Sequence, residues 1–315
     1  MSRIRTAVIG VGYLGHFHAQ KYAAHPDAEL VAVVDADSAR AEQVAEALGC
    51  LAMTDTSDLI GQIDAASVVS PTRLHHSLAL PLIKAGVHLL IEKPITTTLA
   101  EADALINAAK THHTMIQVGH LERFNPAMVE AASVLTQPLF IESHRIAPFN
   151  PRGADVSVVL DLMIHDIDLI LELVASPLEK LDASGAAVIS NDIDIANARL
   201  SFADGCVANV TASRVSPKAE RRMRIFQTNA YIALDLQAGS LNIQRRDPDH
   251  SGPPTMEQIT KETHTPGKRD ALADEIDAFI HAVRAQHAPI VSAEDGRRAL
   301  SAAIDIGQQL SRNSA

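Results

Sequence analysis

The sequence predicts an α/β chain in two parts: a parallel sheet wrapped by helices, then an α+β region with an open, mostly antiparallel sheet. Two observations carry this. The first third alternates short, wholly apolar β-branched runs with helix-spaced segments, the pattern of strands buried on both faces. Beyond Gly119 the runs lengthen and alternate apolar with polar residues, as strands with one solvated face do.

In order, Ile4–Ile9 reads as a strand and His16–Ala24 as a helix. Glu29–Val34 is a strand ending at Asp35, and Ser38–Leu48 has helical spacing through Ala41, Val44, Ala45 and Leu48. Ile63–Val69 is a strand closed by Ser70-Pro71, and Leu78–Ala85 a helix stopped at Gly86. Val87–Ile91 is a strand closed by Glu92-Lys93-Pro94, Leu99–Lys110 a helix and Thr114–Val118 a strand. These units assign residues 1–120 to a first domain and 121–315 to a second.

In the second part, Phe124-Asn125-Pro126 leads into a helix, Ala127–Leu135. Leu139–Ile146, Val188–Ile189, Ile195–Phe202, Cys206–Arg214, Met223–Thr228, Tyr231–Asp235 and Ser240–Gln244 read as sheet, with tight turns at Ala203-Asp204-Gly205 and Asn229-Ala230. A helix over Ser157–Val174 interrupts them. Pro248–Gly267, rich in Pro, Thr and polar residues, reads as a mobile loop. Two helices follow, Asp270–Gln286 and Ala293–Ser311, free to pack back on the first domain.

Composition narrows the function. The 315 residues suffice for two domains, and 47% hydrophobic with 21% charged content fits a globular chain without a membrane span. A net charge of −11 opposes a nucleic-acid surface but leaves room for an anionic small substrate held by local arginines. The cysteines, Cys50 and Cys206, form no metal-type spacing, so no metal site is expected, and a reducing cytoplasm suits them. No apolar leader segment precedes the first strand.

Gly10-Val-Gly12-Tyr13-Leu14-Gly15 fills the slot between first strand and first helix. There the G-x-G-x-x-G spacing is informative: Gly10 permits the tight turn, Gly12 the approach of a pyrophosphate and Gly15 close packing of helix on strand. The N–H groups at the helix start then face the phosphates. This makes the first domain a Rossmann dinucleotide-binding domain. Asp35, about twenty residues on, can accept hydrogen bonds from the adenosine ribose and would repel a 2′-phosphate, favouring NAD over NADP. Arg40 softens that preference, and Asp35 also fits a helix N-cap or turn. At the next strand end, Pro71 stops the strand, Thr72 can cap the following helix, and His75 is either a cofactor contact or a first-turn helix residue.

Lys93 ends a buried strand where Pro94 biases it away from helix. It can hold a substrate hydroxyl and stabilise negative charge on its oxygen; taken alone, a surface lysine at a turn is the better explanation. Asp161, His165 and Asp168 share one face of the Ser157–Val174 helix, flanked by Leu160, Ile164, Ile167 and Leu171. Histidine can take a hydroxyl proton and Asp161 can orient it; the alternative is a satisfied core histidine.

Together the fingerprint, Ser70-Pro71…His75, Glu92-Lys93-Pro94, Arg123-Phe124-Asn125-Pro126 and Asp161…His165 resemble the Gfo/Idh/MocA oxidoreductases, the glucose–fructose oxidoreductase and inositol dehydrogenase family, over nearly the whole chain. The resemblance implies catalysis by Lys93, Asp161 and His165, with the base open between Lys93 and His165. It puts Ser70, Pro71, Thr72, His75, Glu92, Lys93, Pro94 and Arg123 with the cofactor. It also implies a homodimer or homotetramer through the second-domain sheet. Met163 stands where the family usually has glycine, which alters the substrate wall.

Gly119–Pro126 and Asp155–Asp168 resemble a narrower group, the bacterial dehydrogenases of the UDP-N-acetylglucosamine 3-hydroxyl, whose 3-keto product is aminated for lipid A synthesis. Such a substrate needs cations for its diphosphate. Arg152 and Arg214 are the leading candidates, with Arg145, Arg221 and Arg222 behind them. The competing readings are a polyol, inositol or free-sugar dehydrogenase, a reductase of a bilin or dihydrodiol, and a catalytically silent NAD-binding regulatory protein.

Overall fold

The computed structural model describes residues 2–150, 157–246, 255, 258–267 and 269–313. The chain divides into two compact units, Met1–Leu121 with Asp270–Leu300, and Glu122–Arg269 with Ser301–Ala315. Helix 271–285 thus counts with the first unit, although the sequence places it after the second-domain strands.

The first stretch runs β1 (Ile4–Ile9), α1 (Tyr13–Ala24), β2 (Ala28–Val34), α2 (Ser38–Leu48), β3 (Leu51–Met53), β4 (Ala65–Val68), α3 (His75–Lys84), β5 (His88–Glu92), α4 (Leu99–His112) and β6 (Ile116–Gly119). The second runs α5 (Pro126–Ala131), β7 (Pro138–Ile146), a π-turn at Val159–Met163 leading into α6 (Ile164–Val174), β8 (Leu178–Ala186), β9 (Ile195–Phe202), β10 (Val207–Ser213), β11 (Glu220–Gln227), β12 (Ala230–Asp235), β13 (Ser240–Arg246) and β14 (Ile259–His264). Helices α7 (Ala271–Ala285) and α8 (Ala293–Asn313) follow.

The first sheet has the order β3-β2-β1-β4-β5-β6, and all its pairs are parallel. Strand order reverses between β1 and β4, so the ligand crevice lies at their carboxyl ends, beside Gly10 and Ser70. Strands β1, β4, β5 and β6 are almost wholly buried, which explains their unbroken apolar runs, whereas edge strand β3 is mostly exposed. Val8, Val33, Tyr22, Ile276, Phe279 and Ile280 join in one core.

The second sheet has the order β14-β13-β12-β11-β7-β10-β9-β8. Every pair is antiparallel except β7 with β10. Two sequence expectations need correction here. Val188–Ile189 is not a strand: the buried Asp194 carboxylate accepts the N–H groups of Val188, Ile189 and Ser190 at 2.8, 2.6 and 2.9 Å and bends the chain around itself. Burial would raise the Asp194 carboxyl, but the Ser190 hydroxyl, which donates to it at 2.7 Å, and these N–H bonds outweigh it and hold the carboxyl below its usual range. Nor is Pro248–Gly267 wholly a loop. Ile259–His264 forms edge strand β14, mostly exposed, so no apolar alternation betrays it; residues 247–254 lie outside the described residues. Edge strand β8 escapes sequence reading for the same reason.

Beneath this sheet Arg145 is 3% exposed. Its Nε donates to Asp166 at 2.7 Å and its Nη1 to Glu122 at 2.8 Å. Burial alone would lower the Arg145 pKa, but the two carboxylates outweigh it and hold the guanidinium above its usual value. Removing the arginine strands two buried acids. Arg145→Ala is therefore expected to lose about 3–5 kcal/mol of stability in denaturant titration, and a loss below about 1 kcal/mol contradicts this account.

Candidate active site

Backbone geometry at the start of α1 makes the nucleotide cradle. Gly10 has φ +86°, and a Cβ there would lie 2.7 Å from the Val69 carbonyl oxygen. A Cβ on Gly15 would lie 1.8 Å from the Gly10 carbonyl oxygen, so only glycine lets the helix approach the strand. At Gly12 nothing lies within 4 Å of a Cβ. Gly12 is the N-cap and makes no side-chain cap bond, while the Tyr13 and Leu14 side chains point outward. What Gly12, Tyr13 and Leu14 offer is therefore backbone N–H and open space, which fits a pyrophosphate.

Asp35 follows β2. Its Oδ2 accepts the Val11 N–H at 2.9 Å and its Oδ1 the Asp37 N–H at 3.0 Å. The N-cap of α2 is Asp37, which removes the N-cap alternative for Asp35, while the bond from the Asp37 N–H makes Asp35 a turn residue as well. Arg40 Nη1 lies 3.2 Å from Asp35 and its Nη2 3.2 Å from Asp37, so both carboxylates already face this cation.

At the end of β4, Thr72 opens a 3₁₀ turn, Thr72–Leu74, whose N-cap is Pro71 with no side-chain cap bond. Thr72 is thus not the expected cap. His75 begins α3 and is 1% exposed. Its ring nitrogens lie 3.0 Å from the Pro94 carbonyl oxygen and 2.8 Å from that of Ser70. His75 therefore ties the two strand-end loops together. Lys93 is half-buried, its peptide bond to Pro94 is cis, and its own N–H donates to Glu92 Oε2 at 3.2 Å.

In the second unit, Asp161 and His165 are half-buried on a helix that is otherwise mostly buried. The π-turn bonds Ile164 N–H to the Val159 carbonyl, so the simple four-residue spacing does not set how Asp161 meets His165. Asp168 accepts Arg123 Nε at 2.6 Å and Nη2 at 2.9 Å, both residues buried. Arg123, expected at the cofactor, is placed in this ion pair. Arg214 is 6% exposed, with Nη2 3.4 Å from the Ile193 carbonyl and Nε 3.8 Å from Asp194. Arg152 lies outside the described residues. Arg221 and Arg222 are about half exposed.

Sequence reading missed Glu275 and His18. Both carried a signal: Glu275 interrupts the apolar stripe Leu272, Ile276, Phe279, Val283 of α7, and His18 follows Gly15 by three residues on the inner face of α1.

A doubly wound sheet, a glycine cradle at its switch point, a carboxylate at the end of the second strand and a strand-end lysine together define an NAD-dependent oxidoreductase. Comparison with known proteins agrees. An oxidoreductase family model with an NAD-binding Rossmann fold matches residues 4–120, and the GFO/IDH/MocA C-terminal domain matches residues 136–233. The chain belongs to the GFO/IDH/MocA family. It is 40% identical to the UDP-N-acetylglucosamine 3-dehydrogenase of Acidithiobacillus ferrooxidans, with 97% of each chain covered. A crystal form of that enzyme superposes with a TM-score of 0.93 over 99% of both chains. The scyllo-inositol 2-dehydrogenase (NAD(+)) of Bacillus subtilis is 30% identical over 68% of each chain. A probable dehydrogenase from Thermotoga maritima is 26% identical, with a TM-score of 0.83 over 98% of this chain and 97% of its own.

The two glycine environments separate folding from binding. Gly12→Ala is expected to keep the wild-type melting temperature and weaken NAD binding at least about tenfold in calorimetry, because its Cβ enters space meant for ligand. Gly15→Ala is expected to lower the melting temperature, because its Cβ collides with backbone. The opposite assignment of effects would refute the cradle.

Proposed function

We propose that this chain is an NAD-dependent dehydrogenase of a nucleotide-sugar secondary alcohol, namely the 3-hydroxyl of UDP-N-acetylglucosamine. The observation that carries the reading is end-to-end likeness, at 40% identity, to an enzyme named for that reaction. The inositol dehydrogenase relative is more distant and matches a smaller share of the chain.

Bound NAD supplies the two-electron acceptor for the carbon-bound hydrogen, which leaves the hydroxyl proton and the substrate's charge to the chain's own residues. His165 takes the proton and Asp161 orients the imidazole. Lys93 holds the same oxygen and stabilises negative charge developing on it. Arg214 and Arg152 are the proposed diphosphate contacts. Met163, fully buried, replaces a small residue beneath the site and narrows the substrates admitted.

Phe140, Phe226 and Tyr231 stack across β7, β11 and β12 with ring centroids 5.9 and 5.1 Å apart. They lie opposite the face that carries buried Ile141, Ile225 and Ile232. This aromatic patch supports self-association through the second sheet. Free thiols at Cys50 and Cys206 fit a reducing cytoplasmic setting, and the likeness to the UDP-N-acetylglucosamine 3-dehydrogenase supports a place in lipid A synthesis.

The test is NADH formation, followed by absorbance, with UDP-N-acetylglucosamine, myo-inositol and glucose. Turnover with the UDP-sugar alone is expected, and turnover with the free polyol alone would reverse the substrate assignment. Lys93→Met and His165→Ala should each lower kcat about 10²–10⁴-fold while NAD still binds. Near-wild-type turnover in both variants removes their roles.

A further inference from the structure

A buried polar chain runs through the first unit and ends at Lys93. On α1, His18 is fully buried, with Nδ1 3.2 Å from Ser67 Oγ on β4. Ser67 Oγ also lies 2.8 Å from the hydroxyl of buried Tyr22. His18 Nε2 lies 3.2 Å from Oε1 of Glu92, whose side chain is 12% exposed. Glu275 of α7 completes the cluster: one nitrogen or oxygen from each of His18, Glu92 and Glu275 lies within 4.8 Å of the others.

The two acids differ in their partners. Glu92 faces His18 through Oε1 and accepts the Lys93 N–H through Oε2. A Cβ on Gly119 would sit 2.8 Å from Glu92 Oε1, so β6 leaves this carboxylate its space by carrying glycine. Both carboxyl oxygens of Glu275 are buried and accept no hydrogen bond. Gln117 of β6 gives its Nε2 to the Glu275 backbone carbonyl, at 3.0 Å, not to the carboxyl group. A buried carboxylate with no donor, beside a second carboxylate, does not stay ionised.

We propose that Glu275 is a neutral carboxylic acid in the folded protein and a positioning residue for Lys93, acting by donating its proton towards Glu92 and steadying the carboxylate that accepts the Lys93 peptide N–H. The positioning role rests on the reading of Lys93 as a reacting residue. Burial first, and the Glu92 charge second, push the Glu275 carboxyl well above the usual carboxylate range. The titratable groups facing it are His18 and Tyr22 of α1 and Glu92 of β5; β6 contributes the neutral Gln117. A divalent cation on His18, Glu92 and Glu275 is the competing occupant.

Full-length wild type, E275Q and E275M decide between them. E275Q keeps a neutral donor, and E275M keeps the volume without one. The wild-type-minus-E275Q infrared difference spectrum at neutral pH should contain a protonated-carboxyl C=O stretch. Amide exchange in the peptide spanning His88–Ile95 should quicken about tenfold in E275M and remain at the wild-type rate in E275Q. With the UDP-sugar, kcat should fall about 10–100-fold in E275M and recover in E275Q.

Thermal stability gives a signed readout. In the unfolded chain Glu275 titrates as an ordinary carboxyl, and in the folded chain it titrates higher, so the native state binds more protons between the two values. Wild-type stability therefore falls as pH rises through that window. The melting temperature of E275Q relative to wild type should rise over the same window. Absence of the carboxyl stretch, unchanged exchange in E275M, or a stoichiometric metal present in wild type and lost in E275Q overturns the proposal. If wild type oxidises none of the substrates, the reading of Lys93 fails, and the infrared and exchange results still decide the state of Glu275.

Discussion

Everything at the nucleotide end depends on how closely α1 approaches β1. Gly15 rests against the Gly10 carbonyl oxygen at a separation no side chain tolerates. That contact fixes the rotation of α1 on the sheet. Residues three, four and seven positions on, His18, Ala19 and Tyr22, must then face inward, and all three are fully buried. The same approach aims the open helix start outward at Gly12 and drives an imidazole and a phenol into the interior. Cradle and buried polar chain are two consequences of one packing constraint.

The second unit is organised by charge. Arg145 and Arg123 read from sequence as cations available to ligand, because an acidic chain that handles an anionic substrate needs some. The fold instead spends them inside, Arg145 between Asp166 and Glu122, and Arg123 on Asp168. These acids lie on the helix that carries Asp161 and His165, or just before α5. The ion pairs thus orient the helix that presents His165, and they leave Asp161 and His165 as its half-exposed polar residues. A buried pair of this kind adds little net stability over an apolar pair, but it penalises other arrangements strongly, which suits an element that must present two side chains accurately.

The legibility of these features follows from their physics. Strands β1, β4 and β5 are almost wholly buried, so composition alone marks them, and the glycine cradle is visible because backbone contact demands glycine at fixed spacing. Edge strands β8 and β14 have no buried face to impose a period, and their polar residues hide them. Val188–Ile189 has the composition of a strand but bends around Asp194, a partner that local pattern cannot foresee. The family motifs mark Lys93 and His165, whereas the residues that cluster with Glu92, the acceptor of the Lys93 N–H, come from α1 and α7, a separation of more than 250 residues between His18 and Glu275. The charged interruption in the α7 stripe and the place of His18 three residues after Gly15 are the hints of them.

Lys93 shows what these distant contacts achieve. Its peptide N–H is held by Glu92, and the carbonyl of the next residue, Pro94, faces the His75 ring, which also reaches Ser70. The backbone on both sides of the lysine is thereby pinned to the carboxyl ends of β4 and β5. A group that must meet a substrate oxygen within a few tenths of an ångström gains more from such backbone restraint than from contacts to its ammonium, because the latter would compete with the substrate. His75 and Glu92 thus fix the backbone on either side of the half-buried Lys93, which suits the reacting role proposed for it.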